Sequence, residues 1–266
     1  MREDAYMVFC HKVKQLIGID LTAYKDRQMK RRLGTFMLRL GVNDYLELAE
    51  LIEKDREALD KFRNFPTINV SEFFRNAEQF EILKEKILPT FIDSNKSLRI
   101  WSAGCSDGSE HYTLVIILEE LGVKNYELLA SDIDFEILQR AKMGVYKQDS
   151  LRNVPPALLG KYFLKGEDEL YQFLPSYTKK VKFFQHDLLK DRYERNLDLI
   201  LCRNVVIYFT EEAKTRVFTK MSESLRQEGV LFVGGTESIL APKKLGLQTV
   251  YPFFYRKTGE PEIVAL

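Results

Sequence analysis

The sequence predicts an α/β protein, a parallel sheet with helices on both faces, preceded by an all-α N-terminal region. Three observations carry this. Residues 98–114 run from an apolar stretch through Gly104-Cys-Ser-Asp-Gly108 into a helical pattern, the strand, tight loop and helix that open a doubly wound domain. From residue 97 onward, apolar runs with polar exits alternate with helical periodicity. Residues 1–65 carry helical spacing without strand signals.

The chain has 266 residues, 45% hydrophobic and 30% charged, which is the composition of a globular protein with room for one large domain and a smaller one. No apolar stretch approaches the roughly 18 to 20 residues needed to span a bilayer, and the N-terminus lacks the apolar core of a signal peptide. A cytoplasmic location without membrane insertion is the expectation. The three cysteines and three histidines show no ligand spacing, so no metal is implied. A net charge of +1 argues against a general nucleic-acid binder.

In the N-terminal region Val8, Phe9, Val13, Leu16 and Ile17 recur at helical spacing, as do Leu46, Leu48, Ala49, Leu51 and Ile52. Between them, Lys25 to Arg39 holds six basic residues against one acidic, a basic helix face whose ordinary meaning is a solvated surface. Residues 66–96 read as a linker and helix. Ser71 suits the cap of a helix from Glu72 to about Ile87, and Phe73 and Phe74 suit a core, which leaves Asn69 and Arg75 needing a chemical reason.

The large domain is assigned to residues 97–266. Gly104, Ser106 and Gly108 remove bulk where a backbone would approach a ligand, although their spacing is not that of a dinucleotide fingerprint. The next strand, Tyr126 to Ser131, ends in Asp132-Ile-Asp134, which places Asp132 24 positions after Gly108. That suits a carboxylate on ribose hydroxyls. The alternative is a cap for the helix Phe135 to Lys142, a role that fits Asp134 better. Pro155-Pro156 opens a short helix toward Tyr162, and the runs Leu170 to Leu174 and Lys180 to Phe184 read as a hairpin, a small β subdomain near residues 165–185. His186-Asp-Leu-Leu189 follows. The strand Leu197 to Cys202 is apolar enough to be central and exits in Arg203-Asn204. A helix Glu211 to Gln227, a strand Val230 to Gly234 and closing antiparallel strands within Gly246 to Arg256 complete the chain. The polar exits at 104–108, 132–134 and 203–204 are expected to converge beyond the strand carboxyl ends.

Together, Asn69-Val-Ser-Glu-Phe-Phe-Arg-Asn76, Trp101-Ser-Ala-Gly-Cys-Ser106, Ala130-Ser-Asp-Ile-Asp134, Cys202-Arg-Asn-Val-Val-Ile-Tyr-Phe209 and Gly234-Gly-Thr-Glu237 strongly resemble the CheR family of chemotaxis-receptor glutamate methyltransferases. The resemblance covers nearly the whole chain. It implies a Rossmann-like S-adenosylmethionine-dependent methyltransferase sheet with a small β subdomain, and methyl-ester formation on receptor glutamates, with S-adenosylhomocysteine as product. It implies cofactor contacts from Asn69, Ser71, Arg75, Gly104, Glu110, Asp132, Asp187, Leu188, Arg203 and Asn204. Arg75 and Tyr208 are then the expected catalytic residues, both positional. The partner is expected to be the cytoplasmic helices of methyl-accepting chemotaxis receptors, met by Arg27, Lys30 and Arg31 of the basic segment, with the enzyme itself a monomer.

The family's usual Cys-Ser-Thr-Gly-Glu-Glu-Pro-Tyr loop is altered here, with Asp107, Ser109 and His111 in place of Thr, the first Glu and Pro. Asp107 and Glu110 are expected to form a capping pair. The altered loop also keeps open a non-catalytic S-adenosylmethionine-binding regulator of the same fold.

Overall fold

The computed structural model describes residues 4–63, 65, 71–92 and 97–262. The chain forms two compact units, Met1–Ile68 with Val206–Arg216, and Asn69–Val205 with Val217–Leu266.

In the first unit, four helices follow the periodicity of the sequence: α1 (Ala5–Ile17), α2 (Asp26–Leu40), α3 (Tyr45–Lys54) and α4 (Arg56–Arg63). Asp4 and Asp44 cap α1 and α3 through backbone N–H groups, and Gly18 and Gly41 end α1 and α2 at φ 76° and 70°. Phe9 lies at the centre, its ring 5.8 Å from Tyr45 and 5.6 Å from Phe62. Residues 206–216 join this unit through Lys25 N–H donating to the Tyr208 carbonyl, Thr210 N–H donating to Ala23, both at 2.8 Å, and the Tyr24 and Phe209 rings at 5.1 Å. Such long-range contacts leave no periodic signal in the sequence.

The second unit opens with α5 (Ala77–Ile82), a π-helical stretch over Leu83–Ile87, and α6 (Pro89–Ile92). The expected helix from Glu72 is corrected: Phe74 and Asn76 are left-handed, at φ 52° and 60°, so the helix cannot form before Ala77 and Ser71 does not cap it. Such a conformation costs about 1–2 kcal/mol per residue. The offsetting contacts are tertiary. Phe73 and Phe74 are buried, and their N–H groups donate to the Ser150 carbonyl at 3.1 Å and the Thr113 hydroxyl at 3.0 Å.

Then follow β1 (Leu98–Ala103), α7 (Ser109–Glu120), β2 (Tyr126–Asp132), α8 (Phe135–Met143), β3 (Val145–Lys147), α9 (Pro156–Tyr162), β4 (Phe163–Lys165), β5 (Leu170–Phe173), α10 (Pro175–Thr178), β6 (Val181–Gln185), β7 (Leu197–Cys202), α11 (Glu211–Ser224), β8 (Leu225–Val233), β9 (Leu247–Tyr251) and β10 (Phe254–Lys257). Seven strands form one sheet in the order β6-β2-β1-β7-β8-β10-β9. The first five are parallel and β10 is antiparallel to both its neighbours. The central β7 is buried at every residue, and α7 over most of its length, as apolar runs without alternation require.

The expected hairpin does not form. β5 pairs with β3 and β4 in a separate antiparallel sheet, while β6 pairs in parallel with β2 from Leu128↔Val181 to Asp132↔Gln185. Pro175 opens α10 instead of a tight reversal, and Phe173 is buried in a cluster with Tyr112 and Phe163, at ring distances of 4.4 and 5.1 Å. The helix expected to run to Gln227 stops at Ser224, because Leu225 already pairs with Leu197.

Candidate functional site

Five parallel strands end on one edge of the sheet, so their exits are neighbours by construction. β1 leaves through Gly104, at φ 78°, where a Cβ would lie 2.4 Å from Val205 Cγ2 beyond β7. The N–H groups of Gly104 and Cys105 both donate to the Ser131 carbonyl of β2 at 2.8 Å. Ser106 N–H donates to Asp132 Oδ2 at 2.9 Å, and Asp134 N–H to Asp132 Oδ1 at 3.1 Å. Burial pushes the Asp132 carboxyl up, against the pull of those backbone amides, and among the described residues it has no ion-pair partner. Asp132 is therefore an oriented acceptor with lone pairs to spare. Asp134 takes the capping role, accepting from Ile137 N–H at 3.1 Å, which settles the choice the sequence left open.

Beyond β6, Asp187 is half-buried, accepts from Leu189 N–H at 2.8 Å, and is likewise raised by burial. Leu188 is buried and its carbonyl accepts from the Tyr193 hydroxyl at 2.6 Å.

Arg203, the first residue past β7, is the hub of the edge. Its guanidinium is buried between the rings of Phe80 and Phe232, 4.9 and 4.7 Å from their centroids. Nη1 donates to Glu110 Oε2 at 3.2 Å. Nη2 faces three acceptors: the Arg75 carbonyl at 2.9 Å, Gln79 Oε1 at 3.1 Å and Asn76 Oδ1 at 3.2 Å. Arg203 thus fastens the left-handed segment before α5 to the sheet edge and brings Arg75 beside Glu110, whose charged form Arg75 favours. Burial holds the Glu110 carboxyl above its ordinary range, with Arg203 and Ser102 opposing.

That network overturns the expected capping pair. Glu110 turns inward to Arg203 and to the Ser102 hydroxyl, which donates at 3.1 Å. Gly108 is the N-cap residue of α7, at φ 96°, and the Asp107 carboxylate turns to Ser109, accepting from its N–H at 3.0 Å and its hydroxyl at 2.8 Å. Leaving Arg203 buried without its carboxylate costs more than a lost cap. His111, at the family's proline position, is fully buried against Phe183 and Tyr112, at ring distances of 4.9 and 4.4 Å. Desolvation pushes its pKa down to about 3, so it sits there as a neutral, largely apolar ring.

Two family models cover the chain: one described as CheR methyltransferase, SAM binding domain, matches residues 69–250, and one described as CheR methyltransferase, all-alpha domain, matches residues 4–65. The chain belongs to the CheR methyltransferase family. A chemotaxis protein methyltransferase of Listeria innocua is 43% identical over 258 residues, spanning 96% of this chain and 98% of that one. The proteins of that name in Borreliella burgdorferi and Escherichia coli are 31% and 30% identical, over 90% of this chain and 89% and 88% of theirs.

The residues of this CheR-family edge fit S-adenosylmethionine. A cofactor carrying an ammonium and a sulfonium would find three carboxylates on this edge, Glu110, Asp132 and Asp187, and Asp132 is aimed by backbone amides without a neutralising cation among the described residues. Asn204 is left-handed at φ 61°, and Ser71 is half-buried. Asn69 lies outside the described residues.

The other expected residues belong to the helical unit. Arg27 and Arg31 are exposed on α2, one turn apart, without ion pairs among the described residues, whereas Lys30 is held by Asp26 at 3.0 Å and lies 4.4 Å from the Tyr6 ring centroid. Arg32 is drawn inward and donates to the Phe65 carbonyl. Tyr208 lies in the short helical turn Val206–Tyr208. Two residues of the α/β unit went unassigned in the sequence. Gln79 is a lone amide on the buried face of α5, and Glu237 is a charge just past the Gly234-Gly235 exit of β8. Both are buried, but Glu78 and Glu81 flank Gln79 and Thr236 and Ser238 flank Glu237, so no local signal in the sequence sets either apart.

Proposed function

We propose that this protein transfers a methyl group from S-adenosylmethionine to glutamate side chains of chemotaxis receptors, forming methyl esters. The observation that carries the reading is the Asp132 carboxylate, buried, aimed by Ser106 and Asp134, and set on the same strand edge as the Arg203–Glu110 hub. When bound, S-adenosylmethionine supplies a methyl on a cationic sulfur, which departs as the neutral thioether S-adenosylhomocysteine when a carboxylate oxygen takes the methyl. Asp132 holds the ribose hydroxyls, and Asp187 and Leu188 meet the adenine. Asn69, Ser71, Gly104, Glu110 and Asn204 complete the cofactor set. Arg203 acts through Glu110 and the Arg75 carbonyl, since its Nη1 and Nη2 groups are already committed to them.

A glutamate side chain in water titrates at about pH 4.3 and is ionised at neutral pH, so the acceptor requires no strong base. Arg75 orients a carboxylate with its planar fork, and Tyr208, carried over from the family resemblance, is a positioning donor. Alignment of this kind is worth roughly 7–11 kcal/mol of a barrier.

Exposed Arg27 and Arg31 on α2 support docking on the acidic face of a receptor's helical cytoplasmic bundle, by a monomeric enzyme. Replacing both with glutamate is expected to reduce methylation of a receptor fragment roughly tenfold or more at low salt while leaving S-adenosylhomocysteine affinity unchanged. Wild-type methylation should fall as salt rises, because exposed charges are screened over about 8 Å near physiological ionic strength. Full methylation by the double variant would return α2 to the role of a solvated surface.

A further inference from the structure

Glu237 is 2% exposed, and a carboxylate buried beyond β8 needs compensation. Part of it comes from the nearby Arg203 cation, and part from backbone amides of two strand exits. Oε2 accepts from Gly234 N–H at 2.9 Å and from Asn204 N–H at 2.5 Å, and Oε1 accepts from Val205 N–H at 2.8 Å. Glu237 N–H closes the turn on the Gly234 carbonyl at 2.9 Å. Gly234 is part of the device. A Cβ there would lie 2.4 Å from Glu237 Oε2 and 3.0 Å from Asn204 N, so only glycine lets the carboxylate reach across.

The two amides it holds on the β7 side are consequential ones. Asn204 sits at φ 61°, a conformation that asparagine tolerates but does not prefer. Val205 packs so closely on Gly104 that the β1 loop has no room for a side chain at that position. One carboxylate therefore ties the exit of β8 to that of β7, and through Val205 to that of β1.

We infer that Glu237 is a positioning residue, which fixes Asn204 in its left-handed conformation and seats Val205 under Gly104, and so sets the affinity of the edge for S-adenosylmethionine without itself being a ligand. The inference rests on the reading of this edge as the cofactor site.

Glu237→Gln keeps the shape of the side chain but offers one acceptor oxygen and an NH2 group, so at least one of the three amides is left facing a donor. The variant is expected to bind S-adenosylhomocysteine about tenfold more weakly, the loss that follows from one charge-assisted hydrogen bond. Its KM for S-adenosylmethionine should rise by a similar factor, with kcat at saturation changing much less. Gly234→Ala, which pushes a methyl against the carboxylate from the other side, should give the same KM-type defect and serves if the first variant folds poorly. The two together should be less than additive, as expected of neighbours that disturb one contact. Calorimetric titration with S-adenosylhomocysteine reads this directly. If the wild type binds and both variants bind equally well, losing only melting temperature, Glu237 is structural and the inference falls. If the wild type itself fails to bind, the cofactor reading falls with it.

Discussion

Replacing Arg203 with alanine is expected to destabilise the α/β unit by about 3–5 kcal/mol, since it removes the ion-pair partner of Glu110, leaving that carboxylate only the Ser102 hydroxyl and the field of Arg75, and releases the Arg75, Asn76 and Gln79 acceptors together. The melting temperature should fall on the order of 10 °C. Lysine should not restore it. An ammonium cannot reach Glu110 and the α5 acceptors from one plane, nor stack as a flat cation between Phe80 and Phe232. The deficit should also depend on pH. Burial already raises the Glu110 carboxyl, and without Arg203 the folded-state value rises further. A carboxyl whose folded pKa lies above its unfolded one contributes its full stability below the unfolded pKa and loses it as pH rises through the folded pKa. The alanine variant should therefore be less impaired near about pH 5 than near about pH 8. Denaturant unfolding at the two pH values measures this. A pH-independent deficit, or full recovery with lysine, would show that Arg203 does not hold Glu110 in the way described.

Asp132→Ala should weaken binding of both S-adenosylmethionine and S-adenosylhomocysteine by roughly 10- to 100-fold, the range for losing a hydrogen bond to a charged acceptor. Part of that loss comes through the loop, because Ser106 and Asp134 lose their acceptor as well. Asp132→Asn separates the two effects. It keeps one acceptor oxygen for one of the two amides, turns an NH2 group toward the other, and removes a carboxylate that burial holds above its ordinary pKa. A carboxyl raised in this way costs stability once pH exceeds its folded pKa, which offsets part of the loss at the unmatched amide, so at neutral pH the asparagine variant should melt closer to the wild type than the alanine variant does while still binding the cofactor more weakly. Calorimetry beside thermal melting distinguishes these. Wild-type affinity in the alanine variant would remove Asp132 from the ribose.

What the sequence made legible follows from what periodicity encodes. The apolar runs that became β1, β2 and β7, and the Asp cap of α8, are local signals, and they announce their strand exits. The departure of the segment before α5 from its expected helix was not legible, because Ser71 and the residues after it have no helix-breaking composition. The contacts that hold this segment include those to Thr113, Ser150 and Arg203, which lie far along the chain. The supposed hairpin failed for a related reason. Turn residues between two strands say nothing of which sheet each strand joins, and β6 found β2. Glu110 looked like a helix cap from its spacing to Asp107, but the demand of a buried guanidinium is stronger and invisible in local sequence. Glu237 stands in a family-like motif without a role legible there, since two of the amides it serves belong to another strand exit.

Methyl transfer from labelled S-adenosylmethionine to a receptor cytoplasmic fragment, followed by mild alkali, tests the central claim most directly. A glutamate methyl ester is the only product the proposed chemistry allows, and its label should leave in alkali as methanol. The label should also be absent from a fragment whose acceptor glutamates are replaced by alanine. Label that survives alkali, on nitrogen or sulfur, or that appears equally on the alanine-substituted fragment, would contradict the account.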